Sequence, residues 1–156
     1  MALFSRKKQI TIHASTTGQV IVLEKVNDPV FSQKIMGDGF AIVPETQEIY
    51  APMSGVIESI FPTKHAIVIN QKGVKTLIHI GIDTVELEGK GFELKVKVGD
   101  KVTAETLLAI VDFDYLKSQG KEVTTMILFP ELADKYKLKF SFEHFNAKEI
   151  IGQIES

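Results

Sequence analysis

The sequence predicts an all-β fold, an antiparallel β-sandwich or closed barrel with one or two very short helices. Short runs rich in Val, Ile, Phe and Thr recur along the chain, as they do in β-strands. Residues that favour turns separate these runs at the spacing of roughly 8–12 residues that is typical of all-β domains. Helical segments are scarce, so an alternating α/β architecture is excluded.

Ten candidate strands follow from this pattern, and clusters of Gly, Asn, Asp and Pro mark the turns between them. The candidate strands are Gln9–His13, Gln19–Leu23, Phe40–Val43, Glu48–Ala51, Gly55–Phe61, Ala66–Asn70, Val74–Ile80, Thr106–Val111, Glu122–Phe129 and Lys137–Phe142. Val30–Ile35 and Phe113–Gln119 each suit one or two helical turns, and Gly120 is a suitable C-terminal cap for the second. Two strands, Ala66–Asn70 and Val74–Ile80, lack polar alternation, which predicts that both of their faces are covered.

The composition indicates one domain without disulfides, with a hydrophobic core. The chain has 156 residues, 18 Lys and Arg, 20 Asp and Glu, and no cysteine. The balanced charge argues against nucleic acid as a partner. Since no apolar run approaches the roughly 20 residues of a transmembrane helix, we expect a cytoplasmic protein that is not embedded in a membrane. We expect residues 1–10 to form a flexible tail and residues 11–156 a single domain.

Two histidines lie on neighbouring candidate strands and suggest a paired site. His79 follows an apolar run, and His65 lies fourteen residues before it. At neutral pH, imidazole chemistry comprises proton transfer, metal binding and nucleophilic catalysis. Because side chains alternate along a strand, Leu77 is expected beside His79 and Ile67 beside His65. An apolar rim of this kind suits a surface that docks a partner protein.

Several motifs, in the same order and spacing, resemble the glucose-type IIA component of the bacterial sugar phosphotransferase system. The motifs are His79 to Leu87 (HIGIDTVEL), Gly37 to Ile42 (GDGFAI), Ala51 to Gly55 (APMSG), Thr63 to Ala66 (TKHA) and Val98 to Asp100 (VGD). The resemblance covers residues 15–152. It implies a compact antiparallel sandwich of the duplicated hybrid motif type, in agreement with the strand pattern.

The resemblance also implies a role for each polar residue near the histidines. His79 would accept a phosphoryl group from phosphohistidine on the carrier HPr and pass it to a cysteine of the IIB domain of a sugar permease. The backbone carbonyl of Gly81 would fix the tautomer of His79. His65 would donate a hydrogen bond to the phosphoryl group, and the Thr63 hydroxyl would orient His65. Asp83 would either repel the bound phosphoryl group or pair with an arginine of a partner.

A docking face and a set of partners complete the expectation from the family. The predicted docking face consists of Val30, Phe31, Ile35, Phe61, Ile67, Leu77 and Val85. No cofactor is expected. HPr and a IIB domain are the expected partners, and regulatory targets of the unphosphorylated protein are left open, as is the sugar.

Two other functions are compatible with parts of the sequence. Ala51 to Ile57 and Val96 to Val102 also resemble segments of biotinyl- and lipoyl-carrier barrels, but no lysine follows Leu107–Val111 at the expected hairpin tip. A zinc hydrolase would take ligands from His65, His79 and Asp83. Such enzymes use a His-x-His pair, which is absent here. No metal is therefore expected, although incidental zinc binding by the two histidines stays open.

Overall fold

The computed structural model describes residues 9–156 and shows an all-β fold there. Residues 1–8, the greater part of the predicted tail, lie outside the described residues. The strands are β1 Gln9–His13, β2 Gly18–Val22, β3 Asp38–Pro44, β4 Glu48–Tyr50, β5 Gly55–Ile60, β6 Ala66–Gln71, β7 Val74–Ile82, β8 Phe92–Leu94, β9 Lys101–Val102, β10 Leu107–Val111, β11 Glu122–Phe129, β12 Lys137–Phe140, β13 His144–Phe145 and β14 Ile150–Glu155. The helices are α1 Pro29–Ser32 and α2 Phe113–Ser118, with 3₁₀ turns η1 Leu23–Lys25 and η2 Thr84–Leu87. None of the helices within residues 9–156 is long and apolar enough to cross a membrane.

The strands form three antiparallel sheets, which confirms the predicted fold class. The large sheet has the order β13-β2-β3-β11-β7-β6-β5-β9, and the two three-stranded sheets have the orders β1-β14-β12 and β4-β10-β8. Strand β7 lies near the centre of the large sheet, between β6 and β11. His79, near its C-terminal end, is therefore paired on both sides, with Ala66 of β6 and Met126 of β11.

Apolar residues cover both faces of this central strand, as the missing polar alternation predicted. Ile78 and Ile80 belong to the main core, which also holds Ile67. Leu77 points to the opposite face, where it packs in a smaller apolar cluster with Phe31 of α1. This smaller cluster lies on the face that carries His79, because side chains two residues apart share a face.

Each predicted strand and helix has a counterpart, with differences of up to three residues at their ends. β1 begins at Gln9, inside the range predicted as a tail, because Ile10 is buried and pairs with Ile154. Helix α1 begins one residue early because the Asp28 side chain accepts a hydrogen bond from the Val30 amide and caps the first turn. The sequence pattern did not predict β8, β9, β13 and β14.

Candidate functional site

The ring of His79 is fixed by a hydrogen bond to the backbone two residues further along. Its Nδ1 atom lies 2.9 Å from the carbonyl oxygen of Gly81. A carbonyl oxygen only accepts hydrogen bonds, so Nδ1 carries the proton and the lone pair is on Nε2. The structure thus contains the contact that the family resemblance implied for Gly81, and this contact leaves Nε2 with a lone pair.

Gly81 makes this contact because its backbone takes a conformation that other residues rarely adopt. Its φ is +77°. A Cβ atom at this position would lie 2.5 Å from Cγ2 of Thr84 and 2.9 Å from the carbonyl oxygen of Glu122. Thr84 is itself anchored, since its hydroxyl donates a hydrogen bond of 2.6 Å to the Ile80 carbonyl. Both the conformation and the space therefore require glycine.

His65 meets His79 from the turn that precedes β6. The two ring centroids are 4.9 Å apart, and the ring planes are inclined at 80°. His65 is 3% exposed, and its Nδ1 lies 2.8 Å from the hydroxyl oxygen of Thr63. The turn is closed by a hydrogen bond from the Lys64 amide to the Phe61 carbonyl, with Lys64 at a φ of 63°. The predicted pairing of His65 with His79 and with Thr63 is present.

One part of the predicted geometry is wrong, namely the position of Ile67 beside the histidine pair. In the register of β6 and β7, Ala66 lies opposite His79, and Ile67 points to the other face, into the main core. His65 precedes β6 and lies in the turn, so strict alternation does not extend from Ile67 back to it. The chain direction changes at Lys64, and this change brings the His65 ring to the face of His79.

Both imidazoles are held in the neutral form. Burial and, to a smaller extent, the neighbouring His65 together lower the pKa of His79 to about 4, against the opposing effects of the Gly81 hydrogen bond and the charge of Asp28. Burial also lowers the pKa of His65, against the opposing effect of the Thr63 backbone. A neutral ring keeps its lone pair, so His79 can act as a nucleophile at physiological pH.

The predicted docking face divides into exposed and buried residues. Four of its members are exposed: Val30 at 38%, Ile35 at 67%, Phe61 at 40% and Val85 at 50%. The other three are buried and offer almost no area to a partner: Phe31 at 5%, Leu77 at 5% and Ile67 at 0%. The phenylalanine of this buried group instead packs against the His79 ring, with centroids 4.9 Å apart. It supports the site from within.

Two carboxylates lie at a depression of about 220 Å³ beside His79. One wall is formed by Asp28, Val30 and Phe31, and the other by Asp83, Thr84 and Val85. The sequence motifs predicted a role for Asp83 but none for Asp28. The order Asp28-Pro29 is a typical helix start, with an acceptor at the N-cap and proline at the first helical position. That signal places Asp28 at the end of α1, but it does not show that α1 packs beside His79.

No group of three or more His, Cys, Asp or Glu side chains within residues 9–156 is arranged to hold a metal ion. The two histidines form a pair, and the carboxylates of Asp28 and Asp83 line the depression beside His79. The chemistry this arrangement supports is nucleophilic: one neutral, fixed imidazole with Nε2 available, and a second imidazole adjacent to it.

A comparison with known protein families matches residues 10–135 to the family described as the phosphoenolpyruvate-dependent sugar phosphotransferase system, EIIA 1. This match spans most of the chain. The fold and the site together thus define a component of a sugar phosphotransferase system, and the chain belongs to the EIIA 1 family.

Individual relatives agree with this assignment. The chain is 41% identical over 122 residues to the PTS system glucose-specific EIIA component of Staphylococcus epidermidis, covering 78% of this chain and 74% of that protein. It is 48% identical over 119 residues to the PTS system glucose-specific EIICBA component of Streptococcus pneumoniae, covering 76% of this chain and 16% of that protein. The chain thus spans only a small part of this longer relative.

A solved structure shows the same fold. Glucose permease IIA from Mycoplasma capricolum superposes with a TM-score of 0.89 at 35% sequence identity, and the match covers 94% of this chain and 96% of that one. The antiparallel sandwich expected from the family resemblance is confirmed.

Proposed function

We propose that the chain is a phosphocarrier in which Nε2 of His79 accepts a phosphoryl group from phosphohistidine on HPr and passes it to the IIB domain of a sugar permease. Membership of the EIIA 1 family supports a role in phosphotransfer. The observation that carries the assignment to His79 is its hydrogen bond to the Gly81 carbonyl, which leaves Nε2 free with a lone pair.

The transfer consists of two displacements at phosphorus. In the first, the Nε2 lone pair of His79 forms a bond to phosphorus while the phosphorus–nitrogen bond of the donor breaks, and the electron pair of that bond stays on the donor imidazole. In the second, a thiolate of the IIB domain forms the new bond, and the electron pair returns to Nε2. The proton on Nδ1 remains in place throughout. Because such transition states are loose, the protein mainly positions the groups and stabilises spread negative charge.

His65 supplies a hydrogen-bond donor for the phosphoryl oxygens in this proposal. When the Thr63 hydroxyl donates to Nδ1, the proton of the neutral ring is on Nε2, which is then available to the phosphoryl group. The short distance between the two rings supports this role. Asp83 and Asp28 contribute negative charge at the rim, where it disfavours long residence of the phosphoryl group or pairs with a basic side chain of a partner.

HPr and the IIB domain would dock on the exposed apolar residues of the predicted docking face, which are Val30, Ile35, Phe61 and Val85. Val30 and Val85 also line the depression. A small apolar patch without obligatory polar contacts suits a carrier that meets its partners briefly. The names of the relatives make glucose the first sugar to test. Cytoplasmic location and regulatory targets stay predictions. The family match favours the phosphocarrier over the lysine-modified carrier barrel and the zinc hydrolase.

Intact mass spectrometry tests the proposal directly. The protein is incubated with phosphoenolpyruvate, enzyme I and HPr, alongside the variants His79→Gln and His13→Gln. We expect an acid-labile gain of one phosphoryl group that requires HPr, is lost in His79→Gln and persists in His13→Gln. The absence of a gain in the folded wild type would overturn the function, and labelling of folded His79→Gln would move the acceptor elsewhere.

A further inference from the structure

Lys121 and Glu122 lie at the start of β11. They contact the turn at Gly81, the segment before α1 and the 3₁₀ turn η2. Their backbone is held by the end of α2: Gly120, with a φ of 76°, donates its amide to the Lys117 carbonyl, and the Lys121 amide donates to the Leu116 carbonyl, both at 3.0 Å. This double hydrogen bond is a Schellman cap, which fixes the direction in which the chain leaves the helix. Lys121 and Glu122 therefore begin the strand from a defined position.

The Glu122 backbone contacts the turn that orients His79. Glu122 pairs with Ile82 of β7, and the register of β11 then shifts before Thr125. Its carbonyl oxygen lies only 2.9 Å from the position that a Cβ atom of Gly81 would take. The turn at Gly81 is thus bounded on one side by Thr84 and on the other by Glu122.

The two side chains contact residues that are next in sequence to the two segments lining the depression. The Glu122 carboxylate accepts a hydrogen bond of 2.9 Å from the Asn27 amide, next to Asp28. The Lys121 ammonium pairs with the Glu86 carboxylate in η2, the turn that follows Asp83. One dipeptide therefore makes polar contacts with both segments that carry the rim aspartates.

We infer that Lys121 and Glu122 are positioning residues for phosphotransfer, which set the separation of the walls that carry Asp28 and Asp83. This inference rests on the proposed function and adds two residues that do not touch the phosphoryl group. Each side-chain contact is at the surface, so each alone contributes modestly. Their effect arises because adjacent residues with a fixed backbone make both contacts. The contacts affect the docking geometry and not the chemical step.

The test compares two glutamates that make the same type of contact. Glu122→Ala removes the hydrogen bond with Asn27. Glu58→Ala removes the bond of 2.8 Å that Glu58 on β5 accepts from the Asn70 side chain on β6, and also its ion pair with Lys75 at 3.1 Å. We expect Glu122→Ala to raise the KM for phosphorylated HPr by about three- to tenfold, with kcat nearly unchanged. Glu58→Ala should leave both constants at the wild-type values.

Rescue distinguishes a positioning role from a loss of stability. Glu122→Gln keeps an oxygen that accepts from Asn27, so it should restore the KM. For the other wall, Lys121→Glu should raise the KM, and the double variant Lys121→Glu, Glu86→Lys should return it towards the wild-type value. If Glu122→Ala matches Glu58→Ala in an otherwise active protein, or if neither rescue lowers the KM, the inference is wrong. An inactive wild type would instead overturn the proposed function.

Discussion

The imidazole rings of His65 and His79 meet nearly at right angles, with centroids 4.9 Å apart, although their residues are fourteen positions apart in sequence. The contact arises because His79 is fixed in the centre of the large sheet while His65 lies in the turn before the adjacent strand. Each ring has its own hydrogen-bond partner, Gly81 for one and Thr63 for the other. The pair is thus organised before any phosphoryl group or partner arrives, which reduces the ordering that docking requires.

Replacing His65 should separate uptake of the phosphoryl group from its release. His65→Gln leaves Nε2 of His79 intact, so labelling by phosphorylated HPr should continue. Donation to the IIB domain should slow by about 10²–10³, as for the loss of a positioned donor in other enzymes. Single-turnover transfer from labelled protein to purified IIB domain measures this step. Donation at the wild-type rate would remove His65 from the mechanism.

Thr63 should act only through its hydroxyl group. Thr63→Val keeps the shape of the side chain but loses the contact with Nδ1 of His65. Donation should fall by about 10-fold or more, a loss similar to that caused by mutating residues that orient metal-bound histidines. ¹⁵N NMR of the His65 ring should show a changed tautomer. Thr63→Ser, which keeps the hydroxyl, is the matched control, and equal rates in both variants would contradict this role.

Gly81→Ala should both destabilise the fold and disturb His79. The alanine would have to keep a positive φ, and its Cβ atom would lie too close to Thr84 and the Glu122 carbonyl. Gly73→Ala is the control, because Gly73 also has a positive φ, +94°, but nothing lies within 4 Å of its Cβ position. We expect a loss of about 1 kcal/mol in the control from strain alone, and a clearly larger loss at position 81. Urea unfolding measures both, and equal losses would show that the space around Gly81 is not restrictive.

A charge on the exposed part of the predicted docking face should weaken the binding of HPr without unfolding the protein. Ile35→Asp is suited to this test because Ile35 is 67% exposed, whereas a charge at the buried Phe31 would disrupt the packing around His79. The KM for phosphorylated HPr should rise several-fold, since a charge disfavours burial in an apolar contact. Ile150→Asp, at a residue 61% exposed on β14 in a different sheet, is the control. Equal kinetics in the two variants would place Ile35 outside the interface.

The stability of the protein should fall as the pH is lowered from about 6.5 to about 4. In this range the unfolded His79, with its ordinary pKa of 6.5, takes up a proton, while the folded residue, with a pKa of about 4, stays neutral. The unfolded state then binds more protons, so acid favours unfolding until both states are protonated below about pH 4. The lowered pKa of His65 adds to the effect. Urea unfolding across this range should show a weaker pH dependence for His79→Gln, and an unchanged dependence would contradict the shift.

The sequence predicted the long strands well because each contains enough residues to show its pattern. Strands β9 and β13 have only two residues each and carry no such pattern. The longer β14 was missed, and it contains Gly152, a residue typical of turns. The structure explains this glycine, since a side chain there would collide with the Lys139 carbonyl of β12.

The sequence predicted those site contacts whose residues lie close together in sequence or belong to recognisable motifs. The contact of His79 with Gly81 and that of His65 with Thr63 each span two residues, and both are present. The prediction for Ile67 was wrong because alternation describes strands and fails at the turn that carries His65. Asp28 was missed because its approach to His79 depends on the packing of α1, a tertiary contact that no local pattern encodes.

The hydrogen bond that occupies Nδ1 of His79 also limits how quickly the proposed relay can run. Because the backbone engages Nδ1, the phosphoryl group can be accepted and donated only at Nε2. HPr and the IIB domain therefore compete for the same atom and cannot bind there at the same time. Under the proposed function, an excess of unphosphorylated HPr would slow sugar uptake, because bound HPr would keep the IIB domain from reaching His79. The rate of phosphotransfer would then depend on how fast each partner dissociates.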